Sequence, residues 1–342
     1  MIVHPVVLAI MVSDGLVLAL ETGVFLFSFQ ALLNWNPASS SRGQLRLEAR
    51  HESADIAAGG AFWLFSLSTL GLVVAVANLF PDLVPGAMCG TGVLQSMGTP
   101  GPAALALRLA AFTLLYCRRA AIKINHSDPG SPATLWVARY QLIVFPVVAW
   151  AVVASGSALT EMDVDRPVNC CAVVYGAFRS AGAAGAWADV PDRLRLLAFG
   201  GTSLLIGSIP LVMARKRTPD VRQAAGLVLL TLFWMAASAS ALVYVLSAYM
   251  YEVLHHHCPW CLFLPIHGSI GFPLLAAWLL AGAESMAACM AAVHHRAFQQ
   301  LEAVSLRRFR SAARRTAAAA AIFFAMSSAP AVLWRIRFGV WL

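Results

Sequence analysis

Charge is scarce in this 342-residue chain: Asp, Glu, Lys and Arg make up 12% of it, against 60% hydrophobic residues and a mean hydropathy of +0.73. A soluble domain carries about a quarter charged residues, so that class is excluded and the chain reads as a polytopic membrane protein. The formal charge is +8 and the pI near 9.5, yet no basic patch interleaved with aromatics is present, which argues against a nucleic-acid partner. No basic leader precedes the first apolar run, and that run is long enough to span a bilayer, so no cleavable signal peptide is expected. No second Cys-x-x-Cys accompanies Cys258 and Cys261, which removes the paired spacing of a four-thiolate zinc site. Leu262, not His, follows the second cysteine, so covalent c-type haem attachment is disfavoured.

What is present is apolar sequence in repeated lengths. Runs of about 20 residues, enough to cross a hydrocarbon core as a helix, occupy 5–32, 56–80, 103–117, 138–160, 194–214, 223–250, 262–282 and 316–334. They predict an all-α fold of about eight transmembrane helices in a lipid bilayer. Seventeen of the 24 Lys and Arg residues fall in the intervening segments 33–55, 118–139, 215–222 and 283–315. The positive-inside rule puts those segments in the cytoplasm and both termini outside it, the expected location being a bacterial inner membrane. Residues 35–52 and 294–315 read as surface-lying, solvated and lipid-facing stretches.

On that topology Cys89, Cys170, Cys171, Cys258 and Cys261 lie on the outer side, and only Cys117 and Cys289 at inner ends. Thiols gathered on an oxidising face suit disulfide chemistry, and an extracytoplasmic metal site would occupy the same face. The loop 81–102 is rich in Gly and Pro around Cys89, so it is not a regular helix throughout, and its glycines allow close backbone approach. In the loop 161–193, Cys170 and Cys171 are adjacent. Adjacent Cα atoms sit about 3.8 Å apart, under the usual disulfide minimum of about 4.4 Å, so each needs a partner elsewhere or stays free. Within the spans, Asp14 and Glu21 share one helical face seven residues apart. An ion pair between Asp14 and Arg108, which lie at matching depth, is expected.

The densest chemistry is His255-His256-His257-Cys258-Pro259-Trp260-Cys261. In one reading Cys258 and Cys261 are a redox dithiol, with Cys258 at the N-terminus of the seventh span and its thiol pKa lowered by the helix end, Pro259 suiting the first turn. In the other, Cys258 and Cys261 with His255, His256, His257 and His267 hold copper or zinc. That reading describes a metal-handling protein, or a non-enzymatic subunit of a respiratory or cytochrome assembly.

The order of elements in residues 138–282 resembles the vitamin K epoxide reductase family of integral membrane thiol oxidoreductases. A span leads to an outer loop with cysteines (Asn169-Cys170-Cys171-Ala172-Val173-Val174), two more spans follow, and Cys258-Pro259-Trp260-Cys261 opens the last one. The resemblance implies a four-helix bundle around a quinone, with Cys258 and Cys261 as active pair and Cys170 or Cys171 relaying electrons from a thioredoxin-like partner. It divides the chain into an N-terminal three-span region (1–137), the redox bundle (138–282) and a basic loop with a last span (283–342). The family's loop cysteines are separated rather than adjacent, and the three histidines are not part of its pattern.

Overall fold

The computed structural model describes residues 4–36, 39, 41–127, 132–168, 170, 190–253 and 256–341. Among them there is no strand, and eight helical segments are long and apolar enough to cross a membrane. The first half contributes α1 (Pro5–Asn34), α2 (Arg42–Val74), the short α3 (Gly90–Ser96), α4 (Pro100–Asn125) and α5 (Ala133–Thr160). The second half contributes α6 (Asp192–Met213), α7 (Val221–Ala241), its one-turn extension α8 (Ser247–Tyr251), α9 (Gly271–Ala297) and α10 (Glu302–Phe338).

Helix α1 shows why these segments fold as they do. Its buried residues are Val7, Ile10, Asp14, Val17, Glu21, Val24, Ser28 and Ala31, a three-four alternation that makes one stripe along a helix. The remaining surface exposes Leu8, Val12, Leu16, Leu26, Phe29 and Leu33. Keeping Asp14, Glu21 and Ser28 on the buried stripe and an apolar surface outside suits lipid as solvent.

Asp14 pairs with Arg108 of α4 as expected. Arg108 also donates to Ser155 of α5 at 2.6 Å and to Ser68 and Thr69 of α2 at 3.2 Å each, while Ser68 donates to Asp14 at 2.6 Å. One turn-set further along, Glu21 receives Arg118 through both carboxylate oxygens at 2.6 and 2.7 Å, and Gln141 of α5 at 2.8 Å. These two networks tie α1, α2, α4 and α5 into one group. Arg118 is therefore a buried partner inside α4, not a charge of a cytoplasmic loop, because Glu21 offsets the cost of burying it.

The second group is α6, α7, α9 and α10. Along α9, Ala281, Ala288, Ala291 and Ala292 are buried in one core with Ala312, Ala319 and Ala320 of α10. Small side chains let two helices pack closely in a membrane. The groups meet where α4 lies on α9. There the buried Glu284 accepts from Tyr116 at 2.5 Å and pairs with Arg308 at 2.8 Å and Arg315 at 3.1 Å.

Four expectations change. The helices of the expected bundle over 138–282 divide between the groups, α5 packing on α1 and α4, the other three with α10. Residues 294–315 are helical but for the extended Phe298 and a short 3-10 turn, Gln299–Leu301, and His294 is fully buried against Trp136. At 37 residues α10 is roughly 55 Å long, so its basic first half extends the span as helix. Residues 42–52 likewise belong to α2. Finally, the seventh span starts at Gly271 rather than at residue 262, which changes the setting of the cysteine pair.

Candidate redox site

Spans two, four and six finish at one end of the assembly, and the loops that follow them converge there. Two π-turns, Ala75–Leu79 at the end of α2 and Leu242–Leu246 at the end of α7, widen the helices as they reach this rim. The loop after α2 is clamped to the loop after α5: Val168 donates to the Pro85 carbonyl at 2.9 Å and Asp163 to the Ser96 carbonyl at 3.1 Å. Gly86 has φ +76°, and a Cβ there would lie 2.4 Å from the Val168 carbonyl oxygen. Only glycine fits that conformation and that contact.

Cys258-Pro259-Trp260-Cys261 docks on this pair of loops. Pro259–Phe263 is a five-residue 3-10 helix preceded by Cys258, and Pro265–His267 forms a second such turn before α9 begins. A Cβ on Gly90 would come within 2.5 Å of the Trp260 ring. The missing side chain at Gly90 thus seats Trp260 against the start of α3, the close approach that the glycines beside Cys89 suggest. The seating brings Cys258 to Cys89.

Four sulfurs meet as a result. Cys89 Sγ is 3.3 Å from Cys258 Sγ and 3.5 Å from Cys170 Sγ. The sulfurs of Cys89, Cys258 and Cys261 all lie within 4.8 Å of one another. All four cysteines are buried and carry free thiols. Thr91 Oγ1 lies 3.1 Å from Cys258 Sγ, and Tyr251 OH donates to the Cys258 carbonyl at 2.6 Å. Cys117 and Cys289 belong to the interiors of α4 and α9 instead.

The surroundings separate the pair electrostatically. Hydrogen bonds from the Cys261 and Cys89 thiols, with a smaller contribution from Thr91, hold the Cys258 thiol well below its ordinary value against the opposing effect of burial. The Cys261 thiol is pushed up, first by donating to Cys258, then by Cys89 and burial. These contacts favour Cys258 over Cys261 as the thiolate, as the sequence suggests, but through neighbouring donors rather than the end of a long helix. Burial raises Cys170 and lowers His256 and His267.

No family model, curated protein or solved structure matches the chain. The family resemblance of residues 138–282 thus stands on residue order alone.

The sequence-derived candidates fall out as follows. Cys258, Cys261 and Cys170 are at the site; Cys171 and His255 lie outside the described residues. His256 turns its Nε2 to Cys261 Sγ at 3.2 Å. His257 turns away, its Nδ1 3.2 Å from the Val243 carbonyl and its ring on Tyr244. His267 packs on the Tyr251 ring, 4.6 Å between centroids. Sequence reasoning left the role of Cys89 open and did not single out Thr91 or Tyr251. The Cys89-Gly90-Thr91-Gly92 run is the only local signal for the first two.

Proposed function

We propose that this protein is an integral membrane thiol–disulfide oxidoreductase working on the extracytoplasmic side, with Cys258–Cys261 as the acceptor pair and Cys89–Cys170 as the relay pair. The observation that carries this reading is the position of Cys89, within 3.3 Å of one pair and 3.5 Å of the other cysteine of its own. It also gives Cys170 the partner that adjacent Cys171 cannot be.

The exchange proceeds by thiolate attack. A thioredoxin-like dithiol reduces the Cys89–Cys170 disulfide and is itself oxidised. The Cys89 thiolate then attacks Cys258 in the Cys258–Cys261 disulfide, forming a Cys89–Cys258 bond and releasing Cys261, which takes a proton. Cys170 attacks Cys89 in turn, the Cys89–Cys170 bond reforms, and Cys258 leaves as a thiolate. Two electrons have crossed from relay to acceptor. The lowered pKa of Cys258 makes it the better leaving group.

The acceptor pair must then be reoxidised. An apolar cavity of about 180 Å³ lies directly behind the cysteine turn, lined by Pro259, Leu262, Phe263 and Trp278. A larger one of about 570 Å³ opens between α2, α4 and α9 beside Phe112, Phe272 and Thr69. Both suit a lipid-soluble quinone, which when bound takes the two electrons and two protons of the Cys258–Cys261 dithiol.

The test is trapping in membranes. Cys261→Ser should accumulate a Cys89–Cys258 disulfide, and Cys170→Ser/Cys261→Ser, which lacks both thiols that could resolve that bond, should accumulate more of it. Wild-type protein reduced with dithiothreitol should reduce a short-chain quinone, and Cys258→Ser should not. Absence of any Cys258 adduct in Cys261→Ser under oxidising conditions refutes the assignment.

A further inference from the structure

The search for a second role leads back to the sulfur cluster in its reduced state, because more donor atoms converge there than two-cysteine exchange uses. Three thiols, Cys89, Cys258 and Cys261, lie with their sulfurs within 4.8 Å of one another. In a tetrahedral zinc site with bonds of about 2.3 Å, thiolate sulfurs stand roughly 3.7 Å apart. Cys89 and Cys258, at 3.3 Å, are within a few tenths of an ångström of that spacing, and Cys261 needs to move by at most about an ångström to share one ion. A fourth donor stands beside one of them: His256 Nε2 lies 3.2 Å from Cys261 Sγ, against roughly 3.5 Å expected between a nitrogen and a sulfur of one such site. It lies outside the shared group of the three sulfurs, so the ring would have to swing toward Cys89 and Cys258 to complete the set.

The donors are also held as ligands are held. Cys89 is fixed at the N-cap of α3 and Cys258 at the start of its 3-10 turn, while Tyr251 anchors the Cys258 carbonyl and packs edge-on against the His256 ring, 4.7 Å between centroids. His257 and His267 face Val243 and Tyr251 respectively. The set is thus three soft sulfurs and one imidazole, which suits a thiophilic d10 cation. Its lead member, Cys89, comes from a loop 169 residues away from Cys258.

We infer that the reduced protein binds one Zn2+-class cation through Cys89, Cys258, Cys261 and His256, and that binding and disulfide formation at this rim exclude each other. Ligation needs the sulfurs as thiolates, so loading releases the protons of the thiols that enter the site. A thiolate that shares its charge with the metal is a weaker nucleophile toward a disulfide than a free one. In the other direction, a two-electron oxidant that closes Cys258–Cys261 removes two ligands, is itself reduced, and frees the cation. The ligation rests on the cluster alone, and its consequence for exchange rests on the oxidoreductase reading above.

The experiment uses full-length protein in detergent, reduced and then freed of reductant under anaerobic conditions. Zn2+ is the probe, with Co2+ as its spectroscopic stand-in. One Zn2+ per chain is expected, lost on oxidation with diamide and lost in Cys89→Ser and Cys258→Ser, but retained in Cys289→Ser and His267→Ala. Co2+ should give the visible bands of tetrahedral sulfur ligation, displaced in His256→Ala. Zn2+ should also protect Cys258 from maleimide. If no Zn2+ is bound, or if Cys89→Ser retains it, the metal site is overturned while disulfide trapping in Cys261→Ser still stands or falls by itself. Should Cys89→Ser fail to fold, maleimide blocking of the reduced wild-type thiols before Zn2+ addition gives the same discrimination.

Discussion

Cys89 and Cys258 are 169 residues apart in the chain, and their sulfur atoms are 3.3 Å apart. Trp260 lies on Gly90 beside this contact, and neither cysteine has a functional reading of equal weight alone. The predictions below follow from this contact and from the polar networks that support it.

Cys89→Ser should abolish electron transfer between Cys170 and Cys258 while leaving the helices intact. The swap is close to isosteric at a site with hydrogen-bond partners, so the expected stability change is about 1 kcal/mol or less. Oxidation of membranes followed by peptide mapping should find Cys89 bonded to Cys170 or Cys258 in wild type. A normal rate of quinone reduction by external dithiol in Cys89→Ser would remove Cys89 from the relay.

Gly90→Val should push Trp260 off α3, since even a Cβ would stand 2.5 Å from its ring. Overpacking of this kind costs about 1–3 kcal/mol. The sensitive readout is the thiol: alkylation of Cys258, buried in the wild type, should accelerate as its cover is lost. Alkylation at the wild-type rate would mean that the loops do not depend on this contact.

The depressed Cys258 thiol has a pH signature in the reduced protein. Because its folded-state value lies below that of a free thiol, its stabilising contribution is full above about pH 8.5. It is lost as pH falls toward the folded-state value. Cys261, raised, contributes the opposite dependence, fully present below that range and lost as pH rises. The cleaner measurement is iodoacetamide reactivity of Cys258, which should persist well below the ordinary thiol range. Thr91→Val and Cys261→Ala should each move that profile to higher pH, Cys261→Ala the further, in the order of their contributions.

Arg118→Ala should be among the most damaging single changes, because it leaves Glu21 fully buried without its cation. Breaking a buried pair from one side costs about 3–5 kcal/mol. Replacing both partners, as Glu21→Leu with Arg118→Leu, should recover much of that loss in thermal unfolding of the detergent-solubilised protein. Equal damage in the single and double variants would assign Arg118 a role beyond charge balance.

Much of this architecture was legible in the chain itself, and particular residues show why. The eight spans and the Asp14–Arg108 pair follow from transfer energetics that act segment by segment: an apolar run of sufficient length is a helix in lipid, and a lone acid within it needs a base at the same depth. The lowered thiol of Cys258 was readable too, from Pro259 and the Cys-x-x-Cys spacing. Its cause was not, because the donors that lower it sit on Cys261, Cys89 and Thr91, two of them far along the chain.

Residue pattern alone determined that this is an all-α membrane protein whose motif cysteines fall in loops between alternate spans. Only packing in three dimensions decided which of those loops touch, that α5 leaves the expected bundle to join α1 and α4, and that the arginines of α10 sit on a helix with Glu284 as anchor. The physical difference is one of range. Hydropathy and helix periodicity are paid for locally, within some twenty residues, whereas the meeting of four sulfurs depends on a glycine in one loop leaving room for a tryptophan in another.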